Sequence, residues 1–204
     1  VFKNQLIAKI ITSKSNDTIQ KTSAATDAKS TQTYSLLLIQ LHDLDKISKQ
    51  LNAEARNKEF EILDKLLNNS LTLYSGEKVA LNQGCIVLKF SDKDIFNATC
   101  CAYLLLEVAK KMRLLIKLSA TCYCSSNTLS LQQEIPQLIN LSQADKILIS
   151  STDLDYHLIE ERLIFEAIEA THFIAIVGFS KNYQELLNNQ IGYLLSANKS
   201  HIED

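Results

Sequence analysis

Lys78–Phe90 reads KVALNQGCIVLKF. Two runs of strand-forming residues flank the short polar turn Asn82-Gln83-Gly84, the pattern of a β-hairpin. The spacing predicts one strand over roughly Leu71–Ala80 and its partner over Cys85–Phe90. The tip carries an amide and a glycine and no carboxylate, so it offers no anionic group to a cation.

Upstream, Tyr34–His42 reads YSLLLIQLH, an almost unbroken apolar run expected of a central strand buried on both faces. It gives way at once to the polar Asp43-Leu-Asp-Lys. A helix is predicted from about Ile47 to Asn69, where Phe60, Leu63 and Leu67 recur at spacings of three and four. Downstream, Ser91-Asp-Lys-Asp94 has the form of a capping box. Behind it Ala98, Cys101, Leu105, Val108 and Met112 form an inward helical stripe. Residues 114–124 alternate, with Leu114, Ile116, Leu118, Ala120, Cys122 and Cys124 on one face and Lys117, Ser119 and Thr121 on the other, as in a half-exposed strand. A short helical patch from Pro136 to about Ala144, a strand at KILIS (146–150) and a strand pair around a turn near Ala170-Thr171 follow. Residues 181–197 suit either a strand or a helix, and the last seven residues read as frayed.

The order strand, helix, strand, strand, helix, strand, then shorter strands, predicts an α+β fold. It is a ferredoxin-like, palm-type split βαβ sandwich, an antiparallel sheet with helices packed on one face and small C-terminal strands. Ahead of it, residues 1–33 divide into an amphipathic segment, with Phe2, Leu6, Ile7, Ile10 and Ile11 on one stripe, and a Ser/Thr/Asp/Lys-rich linker. The predicted organisation is 1–33 segment and linker, 34–190 domain, 191–204 tail.

At 204 residues and 46% hydrophobic the chain can bury one substantial core. Lys and Arg total 21 against 23 for Asp and Glu, which leaves no global field for nucleic acid or anionic lipid, so no nucleic-acid partner is expected. No run reaches the roughly 18 apolar residues of a membrane span, and no secretory signal pattern occurs. The five cysteines, Cys85, Cys100, Cys101, Cys122 and Cys124, lack C-x-x-C spacing and sit in apolar runs. They read as buried thiols in a reducing cytosol, although Cys122 and Cys124 share a strand face. A cytoplasmic location is expected, including the cytoplasmic part of a longer membrane protein. Only Gly76, Gly84, Gly178 and Gly192 occur, so there is no glycine-rich phosphate cradle.

These segments, in this order, resemble the class III adenylate/guanylate cyclase homology domain over about residues 34–190. LLIQLHDLDKIS is similar to that family's first strand and its Asp-x-x-x-Phe-Ser/Thr ending, with Asp43, Ile47 and Ser48 in place. KVALNQGCIVLKF resembles the hairpin that normally carries Gly-Asp-Gly, and LLIKLSATCYCS the strand written Ile-Gly-Ile-His-x-Gly. INLSQADKILISSTDL resembles the stretch ending Gln-Ile-Leu-Val-Ser, and FIAIVGFSKNYQELL the closing strand.

The resemblance implies a chemistry in which two Asp hold two metal ions that activate a 3′-hydroxyl and neutralise the phosphates. Carried over by position, only Asp43 matches a metal-binding aspartate, which makes it a remnant metal ligand. The second falls on Gly84, or on Gln83 with a slip of one. The base-reading lysine falls near Ala80. The transition-state Asn and Arg fall around Gln133 and Glu134, with Asn140 nearby, and two family glycines become Ser119 and Tyr123.

The expected function is therefore a catalytically degenerate cyclase-like domain acting in dimerisation and intracellular signalling. No confident catalytic residue and no cofactor are expected. The partner would be a second copy or another cyclase-like domain, with an upstream sensor or membrane module. Two alternatives stay open. An active cyclase could use Mg²⁺ or Mn²⁺ with unorthodox ligands such as Asp45, or a degenerate diguanylate-cyclase relative could account for DLDKISKQLN. Plainer roles compete residue by residue: a carboxylate at Asp43 more often caps the following helix. His42, His157, His172 and His201 read as ordinary surface or sheet residues, Ser48 precedes no nucleophile motif, and Lys110, Lys111 and Arg113 complement a helix C-terminus.

Overall fold

The computed structural model describes residues 34–82, 84–91, 95–125, 143–150, 161–168 and 171–199. The N-terminal segment and linker, Gln83, the capping box ending at Asp94, the Pro136 patch, Gln133, Glu134, Asn140, His157 and His201 lie outside them.

The chain runs β1 (Tyr34–His42), α1 (Leu44–Gln50), α2 (Ala53–Tyr74), β2 (Gly76–Asn82), β3 (Cys85–Phe90), α3 (Ile95–Lys111), β4 (Lys117–Ser125), β5 (Ile147–Ser150), β6 (Leu163–Ala167), β7 (Phe173–Phe179) and α4 (Lys181–Lys199). The strands form one seven-stranded sheet in the order β2-β3-β1-β4-β5-β7-β6. This is the expected α+β architecture, with one correction. The sheet is mixed, because β5 runs parallel to β4, with Ala120 opposite Ile147.

β1 is an interior strand, antiparallel to β3 through Ser35–Phe90 to Gln40–Cys85 and to β4 through Tyr34–Ser125 to His42–Lys117. Its alternate residues feed two cores. Leu37, Ile39 and Leu41 join the main core under the helices, while Leu36 and Leu38 join a smaller cluster with Cys85, Val87, Tyr123, Leu148 and Phe173 on the opposite face. That second cluster corrects the half-exposed reading of β4. Ser119, Thr121 and Tyr123 lie at most 4% exposed, so β4 is enclosed on both sides.

α3 is the innermost helix, against β1, β4, α2 and α4. The expected stripe Ala98, Cys101, Leu105 and Val108 is fully buried, and Met112 packs at the margin of the core. Burial extends around most of the rest of the helix, as expected of a helix covered on several sides. Phe96 meets Phe179 and Tyr183 edge-on at centroid distances of 6.2 and 4.9 Å, tying α3 to the closing strand and helix.

Two boundaries move. The predicted helix Ile47–Asn69 is two helices, because Leu51 turns extended and the Asn52 side chain accepts the Ala55 N–H at 2.8 Å, starting a new helix. α2 then continues to Tyr74, so Leu71 belongs to the helix and not to the hairpin, which begins at Gly76. Ser75 takes the left-handed conformation that ends α2 and gives its N–H to Leu71. Gly76 serves a different need, since a Cβ there would sit 2.6 Å from the Phe90 ring.

Of the two options for 181–197, the helix is observed. It crosses the expected boundary at 190 and runs through Lys199, with Ile191 and Leu194 in the core and Asn198 buried. Among the described residues no helix is long and apolar enough to cross a membrane.

Candidate functional site

Asp43, Gly84 and Ser119, three of the residues singled out by sequence, lie where β1 ends, the hairpin turns back and β4 begins. Asp43 leaves the strand in the left-handed region, at φ 59. Its backbone carbonyl accepts the Ile47 N–H at 2.9 Å, but its side chain makes no capping hydrogen bond and is exposed. The capping role expected of this carboxylate is therefore not what it does; the side-chain cap nine residues on, at Asn52, belongs to α2. Asp45 is also exposed, and the Ser48 hydroxyl donates to the Asp45 carbonyl at 2.8 Å, a local turn bond without a base beside it.

The hairpin tip docks directly beneath. The Leu41 N–H donates to the Gly84 carbonyl at 2.9 Å, which brings the tip against the end of β1. Gly84 is buried at φ 84, and a Cβ on it would lie 3.3 Å from Leu44 Cδ1. Backbone and neighbour together favour glycine at the position where the second carboxylate of the resembled family would fall. Ala80 pairs with Val87 within the hairpin, just past a register shift after Lys78.

Two residues not selected from the sequence as site candidates join this end. His42, opposite Lys117 in the β1–β4 register, has its Nε2 2.7 Å from the Ser119 hydroxyl. Burial lowers the imidazole from its ordinary pKa, opposed by the Asp43 and Asp145 carboxylates, which pull it upward. Asp145 reaches this position because β5 is parallel to β4. The loop before β5 therefore returns to the start of β4, where the Asp145 N–H donates to Leu118 O at 2.8 Å. An aspartate just ahead of KILIS was the available signal, and it points to this end only once the strand direction is known.

The His42–Ser119 pair has the spacing of a base and a nucleophile. Ser119 is 1% exposed, however, so no substrate can meet it, and the bond satisfies a buried hydroxyl. Ser119 and Tyr123, which occupy the two glycine positions of the resembled strand, fill the same face of β4 with buried side chains. Between them the Thr121 hydroxyl is buried and finds no hydrogen-bond partner among the described residues.

Among the described residues no group of three or more His, Cys, Asp or Glu side chains is arranged to hold a metal ion. On the positional match, the second anionic anchor of the ion pair implied by the resemblance falls on Gly84 or Gln83, and neither residue type is a carboxylate. The cysteines add no site. None of the five forms a disulfide, and all but the half-buried Cys124 are buried. Burial pushes the Cys85 thiol up to about 11 and the Cys122 thiol up to about 12. His172, an exposed residue just before β7, sets its ring at a tilt against Phe173 with centroids 4.6 Å apart, as an ordinary surface residue can.

The sequence matches no protein-family model and no curated protein. Solved structures do match. The guanylyl cyclase domain of the rhodopsin–cyclase fusion protein from the fungus Blastocladiella emersonii superposes with a TM-score of 0.60 at 13% identity, covering 76% of this chain and 99% of that one. The guanylate cyclase domain from Catenaria anguillulae, in complex with GTP, gives 0.61 at 11% identity, covering 75% and 100%. The adenylyl cyclase CyaB from P. aeruginosa gives 0.58 at 14% identity, covering 73% and 95%. The chain thus has the fold of adenylyl and guanylyl cyclase catalytic domains, nearly complete.

Proposed function

We propose that this chain is a cyclase-like domain that has lost cyclisation chemistry and works by pairing with another cyclase-like domain, either a second copy or a different partner, in a signalling assembly. The observation that carries the reading is Gly84. Its positive φ, and the Leu44 side chain that a Cβ there would meet, favour glycine at the tip, so on the positional match Asp43 lacks the hairpin carboxylate of the resembled two-cation centre. The filled face of β4 at Ser119 and Tyr123 points the same way. Asp43 retains, on this reading, at most the role of a remnant ligand.

Pairing is the property that such a scaffold can keep without its chemistry. Among the similar structures, the Blastocladiella domain is described in both monomeric and dimeric forms. The test is direct. Purified chain with Mn²⁺ and ATP or GTP should yield no cyclic nucleotide above a protein-free blank. Turnover that Asp43→Ala abolishes would overturn the reading in favour of an active cyclase. Sedimentation with a purified cyclase domain, or of the chain alone across concentrations, tests the pairing half.

A further inference from the structure

Where α3 hands over to β4, the chain presents an outward-facing series that the packing does not use. Between Lys111 and Leu118 burial alternates. Met112, Leu114, Ile116 and Leu118 turn inward, and Lys111, Arg113, Leu115 and Lys117 face water, with Lys110 exposed on the last helical turn. Leu115 is 47% exposed.

The cations are not needed to close the helix. The N–H groups of Met112, Arg113 and Leu114 already satisfy the carbonyls of Val108, Lys110 and Ala109 at 2.8, 3.0 and 3.0 Å. Lys110 is loosely offset by Glu107 at 4.0 Å, and Glu59 of α2 fixes the turn by accepting the Leu115 N–H at 3.1 Å. On the other side, Asp43 and Asp145 flank His42, the register partner of Lys117, and mark the limit of the basic patch.

A single exposed leucine is ordinary on a protein surface. A leucine held out on a pinned turn inside a cluster of four cations is a different object, because it needs an apolar layer and an anionic layer at one place. We infer that this turn docks on an anionic membrane surface, with Leu115 entering the interfacial layer and Lys110, Lys111, Arg113 and Lys117 meeting the lipid head groups. The whole-chain charge of −2 conceals the patch because it averages over every face. Each cation contributes about fivefold to binding at an anionic leaflet, so the association is reversible and falls with salt.

The experiment is co-sedimentation of the full chain with phosphatidylcholine vesicles, with and without a minority of phosphatidylserine, at low and high salt. Retention is expected only with phosphatidylserine, and it should weaken as salt rises. Arg113→Gly is the decisive variant. Arg113 sits at φ 58, where glycine is at ease, so the change removes a charge without unfolding the turn. Binding should drop about fivefold in Arg113→Gly, and Leu115→Ser should weaken it further with the salt dependence unchanged. Absence of retention at low salt would overturn the inference, as would retention unaltered in both variants. So would preferential binding to an acidic polypeptide that ignores Leu115→Ser, which would identify a protein partner instead.

Discussion

The middle of β1 and its C-terminal end differ in what holds them. At the middle, Leu37 and Leu38 are at most 1% exposed, one under the helices and one on the opposite face. A few residues later Asp43 stands in water with no side-chain capping hydrogen bond, above a glycine that cannot be anything larger without strain. The centre depends on a collective property, apolar volume in the right alternation, which many sequences satisfy. The end would depend on individual groups, and losing one carboxylate is enough to dismantle a two-cation centre. That asymmetry explains how a chain only 11–14% identical to cyclase domains keeps nearly their whole fold.

The contrast can be broken most forcefully at the centre. Leu37→Ala should lower unfolding free energy by about 2–5 kcal/mol, the range for a buried leucine whose cavity cannot collapse, measured by urea denaturation. A loss well under that range would mean the central strand is less tightly enclosed than its burial implies.

At the hairpin tip the expected effect is smaller and chemically barren. Gly84→Asp restores the carboxylate in name but forces a Cβ toward Leu44 at positive φ. It should cost about 1–2 kcal/mol and produce no cyclic nucleotide in the presence of Mn²⁺. A gain of turnover would show that the scaffold still holds a working site around a missing ligand.

The two helix starts offer an internal control. Asn52→Ala removes a side-chain cap and should cost about 1 kcal/mol. Asp43→Gly removes no such bond and keeps a residue at ease at φ 59, so it should stay within about 0.5 kcal/mol of the parent. Equal losses at the two positions would restore the capping role to Asp43.

The smallest effect is pH-dependent. Burial holds His42 below the ordinary histidine value, so the folded chain resists a proton that the unfolded chain accepts. This contribution is full above the ordinary value and is lost as pH falls through it towards the lower folded value. His42→Asn should flatten the acid limb of a stability profile taken between about pH 7 and pH 5. An unchanged limb would assign it to other groups.

Much of the fold was legible because burial writes itself into residue spacing. YSLLLIQLH could only be a covered strand, and the stripe from Ala98 to Val108 could only be an inward helix face. The break at Asn52 was hidden, because a single side chain competing for an amide leaves the apolar period intact on both sides. The extension of α2 to Tyr74 was missed for a related reason. In LTLYSG the glycine, the usual helix stop, answers to Phe90 while Ser75 takes the left-handed position. The site was half legible. Asp43 and the bare hairpin tip could be read from order and position. Asp145 and the His42–Ser119 contact depend on a parallel strand and on cross-strand register, which local sequence does not encode. The enclosure of β4 was misjudged because Lys117, Ser119 and Thr121 are polar by type. Only the second cluster reveals that two of them are inside.

On the proposed reading the scaffold survives without a grip on metal and nucleotide. Isothermal titration of the chain with a non-hydrolysable ATP or GTP analogue, run with and without Mn²⁺, addresses it most directly. The account predicts no metal-dependent heat for either nucleotide. Metal-dependent binding that disappears in Asp43→Ala would contradict it.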